Sequence, residues 1–365
     1  MNDDTRLREG SALRAGGGQS PPREALPAAS GHVSVARPAG VGAPAGVYAA
    51  LDLGTNNCRL LVACPVGDSF RVIDSFSRII RLGEGVSTTG YISEAAIERA
   101  IAALSICRDK INARNAQRTR LIATEACRAA VNADHFQERV LQETGIRLEV
   151  INRETEAALA VVGCSPLIDP HAGGAILFDI GGGSTELVRI ERRPNESPAP
   201  QIKAWMSIPL GVVTLAERFG GRDVTPESYA RMVAEVAVHV TPFADEHALD
   251  LSNMHLLGTS GTVTTLAGVH LNLARYDRRR IDGIWLNDAD VTATIRRLLA
   301  MSYQERANNQ CISAERADLV LAGCAILDAI RAAFPLPRLR VADRGLREGM
   351  LVEMMREDGV LKVPL

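Results

Sequence analysis

Apolar runs and polar turns alternate along the chain from Val47 onward. Val47 to Leu53 is an apolar run that ends in Asp52-Leu53-Gly54-Thr55-Asn56-Asn57, and the apolar pattern resumes from Arg59 to Ala63. This predicts strand, tight turn, strand. Phe70 to Arg81 reads as further strand. Ser93 to Asn112 carries apolar positions at 97, 101, 104 and 111, a helical stripe with Ser93 as its cap. Arg120 to Ala123 predicts a short strand, Asn132 caps a helix that stops at Gly145, and Arg147 to Ile151 is another strand. Asn152 then opens a helix with Glu154 and Glu156 near its start.

After a Pro/Gly-rich link, Ser165 to Gly174, the layout begins again. Ala175 to Phe178 is an apolar run, followed by Asp179-Ile180-Gly181-Gly182-Gly183-Ser184-Thr185-Glu186 and a second strand, Leu187 to Ile190; Glu191 to Pro200 reads as a loop. Helices are expected from Thr225-Pro226, from Val263, over roughly 313 to 333 and from the end of Asp343-Arg-Gly-Leu-Arg-Glu-Gly349 to about 357. Strands are expected at His255 to Leu257 and Leu339 to Val341. DLGTNNCRLLV (52–62) and DIGGGSTELVR (179–189) share Asp, an aliphatic residue and Gly in the same strand–turn–strand context. Two such copies predict two similar α/β halves facing each other across a cleft. We divide the chain into a tail at 1–46, a first half at 47–170 and a second half at 171–365, whose closing helix can return to the first.

The stretch before Val47 is rich in Gly, Ala, Pro and Ser without helical or strand period, and it predicts a disordered tail. It has no secretory pattern, and the run from Pro38 to Leu51 is too short and broken to span a bilayer. No membrane insertion is expected. The 365 residues carry 41 basic and 43 acidic side chains, which excludes a strongly cationic nucleic-acid binder and makes a duplex partner unexpected. Lysine occurs three times, at 110, 203 and 362, so the basic side is nearly all arginine; the guanidinium fork suits phosphate oxygens, but a GC-rich genome gives the same bias and is the favoured reading. The seven cysteines show no CxxC spacing, predict neither a structural zinc site nor a thioredoxin-type motif, and indicate a reducing, cytoplasmic compartment.

A turn rich in Gly, Ser and Thr aims several backbone N–H groups at one point, where an anion fits. In the second copy Gly181, Gly182 and Gly183 remove side chains that would block approach, and Ser184 and Thr185 add donors. The flanking Asp179 and Glu186 repel phosphate but can hold a divalent cation that bridges to it. GTSGTVTTLAG (258–268) is a second Gly/Thr turn; it opens a helix, so Gly261 and Thr262 could also receive an anion. Arg128 could meet phosphate oxygens bidentately. Glu156, if its helix starts at the cleft, could deprotonate a water. Neither a Walker A loop nor a dinucleotide fingerprint is present.

With AALDLGTNNCRLLVA, ATEACRAAVNADHF, VINRETEAALA, FDIGGGSTELV, SIPLGVVTLAERF, LLGTSGTVTTLAG and ADRGLREGML in this order, the chain resembles the exopolyphosphatase / guanosine pentaphosphate phosphohydrolase (Ppx/GppA) family of the actin-like ATPase superfamily. The resemblance implies an α/β fold with two ribonuclease-H-like domains around a cleft, and hydrolysis of a terminal phosphoanhydride with Mg2+. It implies Glu156 as the base, Asp52, Asp179 and Glu186 around metal and phosphate, Arg128 on phosphate, and Thr55, Asn56 and Asn57 as turn donors. Polyphosphate or guanosine pentaphosphate is the implied polyanionic substrate, and a homodimer is compatible. Asp282 stands where relatives often carry histidine. The alternatives are a kinase or ATPase of the same superfamily and a non-catalytic binder of polyphosphate or an alarmone.

Overall fold

The computed structural model describes residues 46–193, 197–248 and 250–362; the expected tail, Gly46 apart, lies outside them. The first half contains β1 (Tyr48–Leu53), β2 (Asn57–Val66), β3 (Ser69–Ile79), α1 (Val86–Thr89), α2 (Glu94–Ala113), β4 (Arg118–Ala123), α3 (Glu125–Ala129), α4 (Ala133–Thr144), β5 (Glu149–Val150) and α5 (Arg153–Cys164). The second contains β6 (Gly174–Ile180), β7 (Thr185–Arg193), β8 (Ser197–Ile208), α6 (Val212–Phe219), α7 (Pro226–His247), β9 (Met254–Thr259), α8 (Gly261–His270), α9 (Arg278–Ile281), β10 (Trp285–Asn287), α10 (Asp288–Ala300), α11 (Tyr303–Asn308), α12 (Val320–Ala333), β11 (Arg338–Ala342) and α13 (Leu346–Glu357).

Strand order is β3-β2-β1-β4-β5 in one sheet and β8-β7-β6-β9-β11-β10 in the other. In each, a central strand (β1 or β6) pairs antiparallel with the next strand and parallel with a later one. The two sheets therefore repeat one ribonuclease-H-like arrangement, with β10 as an added edge. Where the pattern reading places a loop at 191–200, the chain instead continues β7 to Arg193 and forms β8. Prolines at 198 and 200 obscure the alternation, yet β8 is an edge strand, where proline is tolerated. The long helix expected at 313–333 starts only at Val320, after a short 3-10 turn at Ala314–Arg316.

Alternation along the central strands sorts their side chains between two cores. Ala49, Leu51 and Leu53 face the α2/α4 side, while Tyr48 and Ala50 pack with Met350, Leu351, Met354 and Met355 of α13. In β6, Ile176, Phe178 and Ile180 enter the large core with α7, α8 and α12, while Ala175 and Leu177 pack with Ala157, Ala160 and Val161 of α5. The halves thus exchange helices: α5, from the first, covers the second sheet, and α13, late in the chain, covers the first. The two helices meet at backbone contact. A Cβ on Gly163 would lie 2.0 Å from Gly345 O, and one on Gly349 would lie 2.1 Å from Leu159 O.

The same parity puts Asp52 and Asp179 on the inner faces, at the ends of their strands. On the far edge Arg81 donates to Asp318 at 3.0 Å, and Glu217 accepts from Gly85 N at 2.8 Å and Ser87 Oγ at 2.6 Å. Six of the seven cysteines are buried and all are free.

Candidate active site

Both turns close with one hydrogen bond, Gly54 N to Asn57 O and Gly181 N to Ser184 O, each 2.9 Å. Their outward carbonyls are tied down. Thr55 O accepts from Gly83 N, Asn56 O from Ile80 N and Arg81 N, Gly181 O from Val212 N, and Gly182 O from Val213 N. A trans peptide directs each following N–H the opposite way. The amides of Thr55, Asn56, Gly182, Gly183 and Ser184 are engaged by no hydrogen bond among the described residues, and the residues that carry them line one cleft. Two sets of free donors therefore converge.

None of the three glycines has a positive φ; what they supply is room. A Cβ on Gly182 would stand 2.9 Å from Thr55 Cβ, and one on Gly183 would stand 2.8 Å from Thr55 Oγ1. The expected need for glycine, access for phosphate, is thus joined by a need to seat one turn against the other.

Asp52 and Asp179 line the cleft, and neither carboxylate has a hydrogen bond or ion pair among the described residues. Glu156, three residues beyond the first residue of α5, lines it with them, and its Oε2 lies 2.8 Å from Arg128 Nη1. Burial, then the charge of Glu186, pushes the Glu156 carboxyl up to about 8, against the pull of Arg128. Burial, then Glu156 and Asp52, pushes Asp179 up to about 7. Glu186 rises to about 7 through burial and Asp179, although hydrogen bonds to Ser207 and Ser184 pull it down. Asp52 is raised by burial, against Arg59 and Arg347. Burial raises all four acids, and Glu156, Asp179 and Glu186 are raised further by acids of this same group.

Other expected residues are placed differently. Glu186 is 2% exposed, does not line the cleft, and accepts from Ser207 Oγ at 2.8 Å on the neighbouring strand. Among the described residues, no three His, Cys, Asp or Glu side chains are placed to hold a metal ion together. Of the expected set, Asp52 and Asp179 line the cleft, while Glu186, opposite Asp179 across the hairpin, lies buried behind it against Ser207. Thr185 is fully buried and donates to Leu210 O at 2.7 Å, since strand parity turns it away. Thr262 lines the cleft, but its N–H and that of Val263 are capped by Ser260 Oγ at 3.1 and 3.2 Å, which leaves Gly261 at the open end of α8. Arg128 does not line the cleft; it faces Glu125, Ile151 O and Glu156. Charged partners behind the turn outbid open water for a guanidinium. Thr55, Asn56, Asn57 and Gly181 to Ser184 all line the cleft, although the amide of Gly181 is spent on closing its own turn.

Four side chains that pattern reading passes over complete the site. Glu125 lines the cleft, and so do Arg59 and Arg316; Arg59 and Arg316 also line an adjoining cavity together with Arg347. These three arginines make no ion pair or side-chain hydrogen bond among the described residues. Arg316 is pushed down to about 10 by burial and by Arg59, and burial also lowers Arg347. Arg59 had a signal: it is the cross-strand partner of Asp52, the position Glu186 takes opposite Asp179. Arg316 had none, because its turn joins the cleft only in three dimensions. A Cβ on Gly261 would collide with the Arg316 guanidinium, so that glycine makes space for the cation. Asp282 accepts from Asp343 N at 3.0 Å and from Arg344 Nε at 3.2 Å, which anchors the turn before α13.

The chain is similar to several known proteins. The chain is 28% identical over 318 residues to a guanosine-5'-triphosphate,3'-diphosphate pyrophosphatase of Photobacterium profundum, covering 85% of this chain and 59% of that protein. It is 29% identical over 327 residues to exopolyphosphatase 2 of Mycobacterium tuberculosis, covering 84% and 98%. A crystal structure of the Aquifex aeolicus Ppx/GppA member matches with TM-score 0.71 at 29% identity, covering 86% and 99%. That of an exopolyphosphatase from Cytophaga hutchinsonii, at 24% identity and TM-score 0.76, covers 87% and 100% and shares the fold. With residues 61–358 matching the family model as well, the chain belongs to the Ppx/GppA phosphatase family.

Proposed function

We propose that this chain hydrolyses the terminal phosphoanhydride of inorganic polyphosphate or guanosine pentaphosphate by attack of water. The observation that carries the reading is the convergence of free amides from both turns on a cleft that also holds Asp52, Asp179 and Glu156. The amides receive phosphate oxygens. Glu156, in its ionised form, takes the proton of the attacking water at its carboxylate, and burial makes that carboxylate a stronger base than usual. Arg128 beside it holds that carboxylate in place. The unpaired Arg59, Arg316 and Arg347 continue from the cleft into the adjoining cavity and favour a substrate with more phosphates than the one cleaved.

Two enclosed aspartates without protein partners fit a magnesium ion, which accepts one or two carboxylates and completes its shell with water and phosphate oxygens. Asp52 and Asp179 would hold it. When bound it would neutralise charge on the phosphates that the acids otherwise repel.

No helix among the described residues is long and apolar enough to cross a membrane. The reading is tested by phosphate release from purified protein with long-chain polyphosphate, guanosine pentaphosphate and ATP, each with and without magnesium. Magnesium-dependent release from either of the first two supports it. ATP turnover stimulated by an acceptor, without polyphosphate cleavage, would make the chain a kinase. Tight binding without release would make it a sensor.

A further inference from the structure

At the cleft wall, four charged side chains of alternating sign form a row: Arg153, Glu125, Arg128, Glu156. Arg128 donates to Glu125 Oε2 through Nε at 3.0 Å and Nη2 at 2.8 Å. Arg153 donates to Glu125 Oε1 through Nη2 at 2.7 Å and to Oε2 through Nε at 3.2 Å. One carboxylate thus takes both guanidinium groups. Of these three residues only Glu125 lines the cleft; Arg128 and Arg153 do not. Glu125 also presses on the second turn, since a Cβ on Gly183 would lie 3.1 Å from its Cγ. A carboxylate therefore sits beside the amides meant for an anion.

Arg153 makes this arrangement more pointed. It is the first residue of α5, where the helix dipole disfavours a cation. Asn152 Oδ1 caps only Thr155 N, so the amides of Arg153 and Glu154 are free among the described residues. A positive helix end with an arginine on it calls for an anion, and in this structure the chain's own Glu125 is that anion.

We propose that Glu125 is an internal stand-in for phosphate: it occupies Arg128 and Arg153, and the substrate's phosphates displace it on binding. Glu125 then sets the affinity for the polyanion, and Arg153, which does not line the cleft here, becomes a substrate contact. This rests on the phosphoanhydride-hydrolase reading, but binding tests it apart from turnover.

The probe is inorganic tripolyphosphate, titrated calorimetrically without magnesium into the full chain. Glu125→Gln, isosteric and uncharged, should tighten binding about three- to tenfold, as expected when a partly buried ion pair no longer competes. With magnesium, KM for the cleaved substrate should fall by a similar factor while kcat moves less. Glu125→Asp, which keeps the charge, should stay near wild type. Arg153→Met should weaken binding at least about threefold and cancel the gain in the double variant with Glu125→Gln. Unchanged or weaker binding in a folded Glu125→Gln chain would overturn the proposal. Should that variant fail to fold, unchanged binding in Arg153→Met, a half-exposed site, overturns it alone. Tighter binding without phosphate release from any substrate would uphold the stand-in and sink the hydrolase reading.

Discussion

The two Asp-x-Gly turns share a hydrogen bond, a length and a register, yet they carry opposite equipment. Asp52 faces Arg59 across its hairpin, whereas Asp179 faces Glu186 at the equivalent position. The first turn keeps side chains, Thr55, Asn56 and Asn57; the second has shed them for glycine. Sterics explain the second contrast. Two turns that meet at their tips cannot both carry Cβ atoms there, and Thr55 already fills the space that Gly182 and Gly183 leave. Electrostatics explains the first. A cleft lined by several buried acids gains from an arginine, and only one of the two copies supplies it at this position. Duplicated backbone has been divided into a cation-bearing wall and an acid-bearing wall.

Glu156 sits between the walls, so its replacement by Gln should have the largest effect. Phosphate release is expected to fall about a hundredfold or more with the fold retained by circular dichroism; near wild-type release would remove it from the mechanism. Asp52→Asn and Asp179→Asn test whether the walls share one ion. Both should lose at least about tenfold in rate and require more magnesium, and a change in magnesium demand for only one of them would break the symmetry.

A methyl group tests the steric half of the comparison. Gly183→Ala should wedge the turns apart and cost about 1–3 kcal/mol in urea unfolding, while Asn56→Ala should cost less. Similar costs would mean that the turns tolerate side chains alike. Arg59→Leu should raise KM about tenfold with little change in kcat; a loss confined to kcat would place Arg59 on the reacting phosphate instead.

The smallest effect expected concerns pH. Glu156, Asp179 and Glu186 hold protons more tightly in the folded chain than ordinary carboxyls do. The folded state then binds more protons than the unfolded one between the usual carboxylate range and about pH 8, so stability must fall as pH rises through that window. Metal-free protein should melt lower at pH 8 than at pH 5. Glu186→Gln should flatten that slope, and magnesium should raise Tm mainly at the alkaline end. A melting temperature that climbs with pH would contradict the assignment.

Much of this architecture could be read from the chain because local rules agree with the fold. Caps such as Ser93, Asn152 and Thr225 mark helix starts, and each accepts the expected backbone hydrogen bond. The repeat located both turns, and parity placed both aspartates. What escaped depends on contacts between distant segments. β8 was hidden by its prolines. Thr185 and Glu186 look like cleft residues in one dimension, but Leu210 and Ser207 claim them in three. Arg316 reaches the site from a 3-10 turn that no periodicity singles out, and Arg128 was legible in place but not in orientation.

The exchange of α5 and α13 between the sheets bears on how the chain is made. During synthesis β1, β2 and β4 leave the ribosome long before the methionines of α13 that cover their inner face. The first half is then a sheet with one side bare, and the second lacks its inner cover unless α5 docks from upstream. Separate expression of the halves should give sticky fragments rather than domains, and holding chaperones should matter most before α13 emerges. The active cleft, which needs both walls, can form only when the last of these helices has closed the first sheet.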